Sequence, residues 1–242
     1  MSNVLIVTGG SKGIGKALVE KYQQENYKVF SLSRSIIDIQ NVTQIPVDLL
    51  NIKEAKNAFE MLLDEVKKTS ITSITLINNA GRLGQITNLE NIDSEDIHLS
   101  ITLNTTIPLL LSSLFIKELA QLNCKKQIIN ISSGAATKPY TGWSTYCSSK
   151  AALDMTTATI AEEQKNITNG VKCFGIRPGV VDTGMQTQIR STKIEDFKNV
   201  QRFIDLKENK ELYTPDFVAE RIYTIDSNEK LENGKTIDLR DF

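Results

Sequence analysis

A chain of 242 residues, 40% of them hydrophobic, is long enough to bury a sizeable core, and one compact α/β domain over residues 1–242 is the expected organisation. Its 28 basic and 29 acidic residues leave a formal net charge of −1, which excludes the strong positive field that nucleic acid or an anionic membrane selects and points to a small-molecule partner. The N-terminal "MSNVLIVTGG" has no basic stretch ahead of its short apolar run, so neither a signal peptide nor a membrane span is read there and a cytoplasmic location is expected.

Taken in chain order, short apolar runs alternate with longer segments of helical period. "NVLIVTG" precedes a helix over 12–25; "YKVFSLS" and "TQIPVDL" follow, the second ahead of a helix over 51–68; "ITSITLINNAG" precedes a helical segment over 95–122. "KQIINISS", a helix over 144–165, "VKCFGIRPG" and a late "KTIDLR" complete the series. Parallel strands need crossover helices and bury both of their sides. The alternation therefore predicts a single Rossmann-type doubly wound parallel sheet of about seven strands, with helices on both faces. Periodicity is weakest over 181–212, which suits a mobile substrate-binding flap better than a core element. Cys124, Cys147 and Cys173 are odd in number and show no CxxC spacing, so the thiols read as reduced and buried, with no disulfide framework and no metal site.

The first strand runs into "TGGSKGIG", Thr8 to Gly15, and a helix starts at once. Gly9, Gly13 and Gly15 let the turn tighten and the backbone approach a pyrophosphate, while Ser11, Lys12 and Ile14 complete a loop whose amides face the anion. The spacing is GxxxGxG, which departs from the commonest dinucleotide fingerprint, GxGxxG. At the end of the second strand, where an NAD binder places an acid for the ribose 2′-hydroxyl, this chain has Ser33 and Arg34. A guanidinium cannot accept a bond from that hydroxyl but clamps a 2′-phosphate; with Lys12 nearby, the cofactor expected is NADP(H). Asp48 and Leu49 follow the third strand, where Asp48 meets the adenine edge. Asn79, Ala80 and Gly81 of "NNAG" end the fourth with small residues that admit a ribose.

Tyr146 and Lys150 are four residues apart on one face of a predicted helix. A phenol titrates at ~10, and an ammonium held close lowers that value, making Tyr146 a usable acid or base near neutrality. Ser133 lies just past the strand "QIINIS", where a hydroxyl at the carboxyl edge of a parallel sheet faces the ligand crevice; Ser132 is the alternative if the register shifts by one. Asn104 precedes Pro108 by four residues, and a kink there turns Asn104 towards Lys150, through a water in a proton relay. Tyr140 and Trp143 are candidate walls of the substrate pocket, and Met185, Ile189 and Phe197 of the flap a candidate apolar lid.

"TGGSKGIG", "NNAG", Asn104, Ser133, "YCSSK" and "RPGVVDT" resemble, in order and spacing, the motifs of the short-chain dehydrogenases/reductases, over nearly the whole chain. Carried onto these positions, the family's roles make Tyr146 the catalytic acid/base. Lys150 binds the nicotinamide ribose and lowers the pKa of Tyr146, Ser133 orients the substrate carbonyl, and Asn104 maintains the relay. Pro178, Gly179, Val181 and Thr183 lie along the nicotinamide, with Val181 and Thr183 bonding its carboxamide. "SSGAATKPYTGWSTYCSSKAALDM" and "GVVDTGMQTQIRST" resemble the sepiapterin-reductase-like subgroup, and within it bacterial enzymes that reduce one carbonyl of a vicinal diketone with NADPH, as from benzil to (S)-benzoin. The substrate so implied is a small carbonyl compound held by Ser133, Tyr140, Trp143, Tyr146 and Met185. The chain ends "GKTIDLRDF" where many members carry a glycine-rich "DGG", which argues against the usual tetramer surface and leaves a homodimer as the expected assembly. A nucleotide sensor would need the glycine loop without the Ser, Tyr and Lys constellation, and an oxidative NAD-dependent alcohol dehydrogenase would want an acid in place of Arg34.

Overall fold

Strand β1 (Ser2–Thr8) shows why this sheet takes helices on both sides. Successive side chains of a strand point to opposite faces; Val4 and Ile6 enter one buried cluster and Leu5 and Val7 another, all four with no exposed surface. The computed structural model describes residues 2–228 and 231–241. After β1 come α1 (Gly13–Gln24), β2 (Lys28–Ser33), β3 (Val42–Pro46), α2 (Ile52–Lys67), β4 (Ile71–Asn78), α3 (Ser94–Ile101) and α4 (Ile107–Glu118). Then follow β5 (Lys125–Ile131), α5 (Ser144–Gln164), β6 (Lys172–Arg177), α6 (Gly184–Arg190), α7 (Val200–Glu208), α8 (Pro215–Asn228) and β7 (Thr236–Asp238). The seven strands lie in the order β3-β2-β1-β4-β5-β6-β7, every neighbouring pair parallel. This is the doubly wound sheet that the alternation of the sequence predicts.

The face carrying Val4 and Ile6 is covered by α2, α4 and α5 through Phe59, Leu63, Leu111, Phe115 and Ile160, and the other by α1 and α8 through Leu18, Tyr22, Val218 and Ile222. Helix α8 went unread in the sequence, although its buried positions 218, 219, 222 and 225 follow helical spacing. It also carries Asp226, whose buried carboxylate accepts from Tyr22, Thr75 and Gln127 and so ties α8 to α1, β4 and β5.

Two expectations are corrected. The single helix read over 95–122 is two helices, α3 and α4, joined by a π-helical turn over Thr102–Thr106. Pro108 has no N–H with which to bond the Asn104 carbonyl, and the added residue per turn is the relief the backbone finds. This continuous stretch, Ser94–Glu118, reaches a mean hydropathy of 1.6, yet Leu111, Leu114 and Phe115 are buried against the sheet, as in the core helix of an α/β fold. The thiols also differ from expectation: Cys124 and Cys173 are buried, whereas Cys147 is only partly so, because it faces outward from α5 beside Tyr146.

The segment over 181–212, expected to be a mobile flap and not a core element, is a third departure, since it holds two helices, α6 and α7, and a core of its own. Ile189, Phe197, Val200 and Phe203 pack there with Trp143 of the loop before α5. Phe197 is fully buried and stacks on Trp143 at 4.7 Å between ring centroids and 9° between planes. Gly142, at φ +84°, has no Cβ, which would sit 2.3 Å from the Asp196 carbonyl oxygen, so the flap can close on the loop. Sparse aromatics with polar residues between them hid this core from a periodicity argument. Truncating Phe197 to alanine opens a cavity beneath Trp143, and Phe197→Ala should lower the unfolding free energy by about 3–5 kcal/mol in a urea titration; an unchanged midpoint would show that the flap does not share in the fold's stability.

Candidate active site

A cavity of about 900 Å³ runs across the carboxyl ends of the strands. It opens where the chain, having built β1, β2 and β3 outward, returns to start β4 on the other side of β1, the switch point at which such sheets bind ligands. The glycine loop after β1 and the "NNAG" turn after β4 meet here. A Cβ on Gly9, at φ +72°, would lie 3.1 Å from Ala80 Cα, and one on Gly15 would lie 2.1 Å from the Gly9 carbonyl oxygen. Only glycine permits this approach. Lys12 occupies the N-cap of α1 without a side-chain cap, so the first amides of the helix keep their donor capacity.

Ser11, Lys12, Gly13, Ile14, Ser33, Arg34, Asp48, Leu49, Asn79, Ala80 and Gly81 line one half of this cavity, and Pro178, Gly179, Val181 and Thr183 close it from the segment after β6. Thr183 Cγ2 sits 3.2 Å from where a Cβ of Gly13 would be, so the two segments nearly touch. Arg34 and Lys12 are exposed and have no ion-pair partner among the described residues. Asp48 accepts from the Leu50 amide. Thr8 corrects its expected role: it lies outside the cavity, buried, and its hydroxyl accepts from the Asn79 and Ala80 amides, each at 3.0 Å. The uncapped helix terminus, the glycine cradle and Ser132 Oγ, a buried lining atom without a partner among the described residues, all suit a dinucleotide.

Ser133, Tyr146 and Lys150 converge on the same cavity. Ser133, two residues past β5, is extended, and its hydroxyl accepts from the Ala135 amide at 3.1 Å, which starts a single 3₁₀ turn; Ser133 and Tyr146 line the cavity together. Ser132, the alternative in the sequence, lines the same cavity. Tyr146 is buried, and burial raises its pKa above the ordinary phenol value, the Ser133 hydrogen bond opposing the rise. This overturns the expectation of a phenol lowered by its lysine neighbour. Lys150 Nζ stands 5.9 Å from the Tyr146 ring centroid and donates instead to the Ile131 carbonyl at 2.8 Å. Burial holds the lysine amine down to about 8, against the pull of the Asp154 carboxylate one turn along α5. Asp154 in turn pairs with Arg177 at 2.6 Å; neither was singled out in the sequence, although Asp154 stands four residues past Lys150.

Asn104 does not line the cavity either. It is fully buried in the π turn, where its amide brackets Arg82: Oδ1 accepts from the Arg82 N–H at 2.9 Å, and Nδ2 donates to the Arg82 carbonyl at 2.8 Å and to Ser149 Oγ at 3.1 Å. Ser149 donates to the Tyr146 carbonyl. Asn104 thus fixes the loop after "NNAG" against the catalytic helix, and its side chain approaches Lys150 only across Gly81, where a Cβ would lie 3.2 Å from Asn104 Oδ1 and 3.7 Å from Lys150 Nζ.

The other half of the cavity is walled by Leu83, Tyr140, Trp143, Met185, Ile189 and Phe203, as the sequence suggested for Tyr140, Trp143 and Met185. Phe197 is not on the wall but behind it, under Trp143. Two residues of α7 were missed in the sequence. Arg202 of α7 reaches the rim, and behind it Lys207 pairs with Asp182 at 2.5 Å, tying α7 to the start of the same 181–212 segment. Both are charges in a lysine-rich polar stretch, and no local signal separated them from solvated neighbours.

With this geometry in hand, the likenesses to known proteins are specific. Residues 3–194 match the family model for short chain dehydrogenase. The chain is 41% identical over 239 residues, 98% of each sequence, to benzil reductase ((S)-benzoin forming) of Bacillus subtilis. Against the protein of the same description from Bacillus cereus the identity is 35%, over 96% of this chain and 97% of the relative. Among solved structures, the KRED1-Pglu enzyme superposes with a TM-score of 0.84 at 28% identity, covering 98% of this chain and 100% of that one.

The desolvated lysine gives the site a measurable signature. In NMR spectra of the protein carrying ε-¹³C-lysine, Lys150 should titrate with a midpoint of about 8, charged below and neutral above. Asp154→Asn removes the attraction that favours the charged form and should move that midpoint lower. A midpoint at the ordinary lysine value would show that the ammonium is not desolvated.

Proposed function

Because the chain belongs to the short-chain dehydrogenase family, we propose that it is an NADPH-dependent carbonyl reductase acting on a ketone or vicinal diketone, of the benzil to (S)-benzoin type. The observation that carries this reading is the convergence of Ser133 and the buried Tyr146 and Lys150 on a cavity whose other half is a dinucleotide cradle. NADPH, when bound, supplies the hydride to the carbonyl carbon and leaves as NADP⁺. The chain supplies the proton and the geometry. Ser133 and Tyr146 line the same cavity, and a carbonyl oxygen set between their hydroxyls would accept two hydrogen bonds. As charge grows on that oxygen, the Tyr146 proton moves to it, completing the alcohol.

The raised pKa of Tyr146 fits this direction. A phenol held above its ordinary value is fully protonated at neutral pH, which is the form a reductase needs at the start of its turn. Lys150 lies one helical turn on, where its amine reaches the Ile131 carbonyl and the "NNAG" side of the cleft, and it would bind the ribose and hold positive charge behind the phenolate left after proton transfer. Arg34 and Lys12, two exposed cations without partners among the described residues at the far end of the cleft, suit a 2′-phosphate and favour NADP(H) over NAD(H).

Tyr146→Phe deletes the proton donor and should reduce turnover of benzil about 10²–10⁴-fold while the cofactor still binds, as read by NADPH fluorescence. Activity near that of the unaltered protein would rule out Tyr146 as the acid. Arg34→Ala should raise KM for NADPH at least about tenfold with little effect on KM for NADH, the value of one charge-assisted phosphate contact; an unchanged ratio of the two would remove the 2′-phosphate from this residue.

A further inference from the structure

The substrate half of the cavity ends on a positive charge that no carboxylate neutralises. Arg202 reaches the rim from α7, lies beside Tyr140, Trp143 and Phe203 on the cavity wall, and has no ion-pair partner among the described residues. The side chain is exposed and rests on two aromatic residues. Nη1 donates to the Tyr140 hydroxyl at 3.3 Å, and the guanidinium carbon lies 5.5 Å from the Phe203 ring centroid. The remaining lining cations are accounted for: Arg82 pairs with Asp96, Arg240 pairs with Asp238, Lys150 serves the catalytic end, and Lys12 and Arg34 face the cofactor. The lining carboxylates, Asp48 and Asp238, are respectively at the cofactor end and in that pair with Arg240.

The Tyr140 oxygen accepts from Arg202, which leaves its own proton free to donate. Guanidinium and phenol therefore present two donors at one place, a pairing that matches an oxyanion and has nothing to offer a cation. The distance from the chemistry is set by the aromatic wall. From Tyr146 the ring centroids step 5.7 Å to Trp143 and then 4.9 Å to Tyr140, so the donor pair is at most two ring steps from the proton donor. A flat apolar arm laid along Trp143 spans that interval.

We propose that the site is built for a ketone or vicinal diketone that carries a carboxylate on an aromatic arm, with the carbonyl at Ser133 and Tyr146 and the carboxylate between Arg202 and Tyr140. This assignment rests on the carbonyl-reductase reading and deepens it: the aromatic wall accepts a neutral diketone, and Arg202 selects the acidic one. The binding is electrostatic at a half-open rim, so it weakens as salt rises.

The test compares kcat/KM for benzil and for 4-carboxybenzil with NADPH, in the unaltered protein and in Arg202→Met and Arg202→Lys. Reading a ratio within each protein removes any general loss from the substitution. The unaltered protein should favour 4-carboxybenzil roughly tenfold, as expected of one charge-assisted contact, through KM, and less so in 0.5 M salt, roughly a Debye length of 4 Å. The ratio should fall to about one in Arg202→Met and stay intermediate in Arg202→Lys, which keeps the charge but not the planar fork. Benzil reduced with no preference for the acid, or a preference that survives Arg202→Met, overturns the assignment while leaving the reductase reading intact. Turnover of neither compound removes the reading itself, and this assignment with it.

Discussion

The Thr8 hydroxyl, accepting from the amides of Asn79 and Ala80, is the interaction on which the cleft depends. The glycine loop and the "NNAG" turn leave β1 and β4 in different directions, and loops without regular structure satisfy few of their own backbone groups. Thr8 joins the two at their roots, with Asn79 Nδ2 returning a bond to the Thr8 carbonyl at 2.9 Å. The close approach at Gly9 and Gly15 follows from that join. So does the position of Gly81, the thin spacer between Asn104 and Lys150. A residue read from the sequence as a cofactor contact is thus better understood as the fastening that lets its neighbours be contacts.

From this fastening the catalytic end is assembled by burial more than by direct pairing of charges. Tyr146 and Lys150 share a helix face, as their spacing requires, but the amine is turned to the Ile131 carbonyl and the phenol to Ser133. Each is shifted in the direction that disfavours its charged form, the tyrosine up and the lysine down. The pair is consequently poised to respond to whatever charge enters the cleft, since a small change in local field moves a desolvated group further than an exposed one. Asp154, held by Arg177, is the negative charge that opposes the lowering of the lysine pKa by burial.

How much of this was legible in the sequence follows from how far apart the partners are. The glycine loop, Ser133, and the Tyr146 and Lys150 pair are local patterns whose spacing already states the geometry, and the strand and helix alternation that orders the sheet is equally local. Arg202 with Tyr140, and Phe197 with Trp143, are separated by more than fifty residues of chain, and nothing in their own surroundings announces the contact. The direction of the Tyr146 shift was misread for the same reason: a neighbour four residues away is visible in sequence, whereas the desolvation that outweighs it is the work of the whole fold. Helix α8 is a different kind of miss, because its periodicity was present and went unread.

The separate aromatic core of the flap carries a further consequence, for heat. Phe197, Val200 and Phe203 pack on Trp143 and one another, apart from the two clusters that sandwich the sheet. Cooperative units of a native protein open with their own free energies, and a small one opens first. That cluster also takes in Leu83, Ala135 and Tyr146, so heat that loosens it loosens the wall of the substrate half and the burial of the phenol together. The packing that shapes the substrate wall is thus the same packing that desolvates the proton donor, and neither can be disturbed alone.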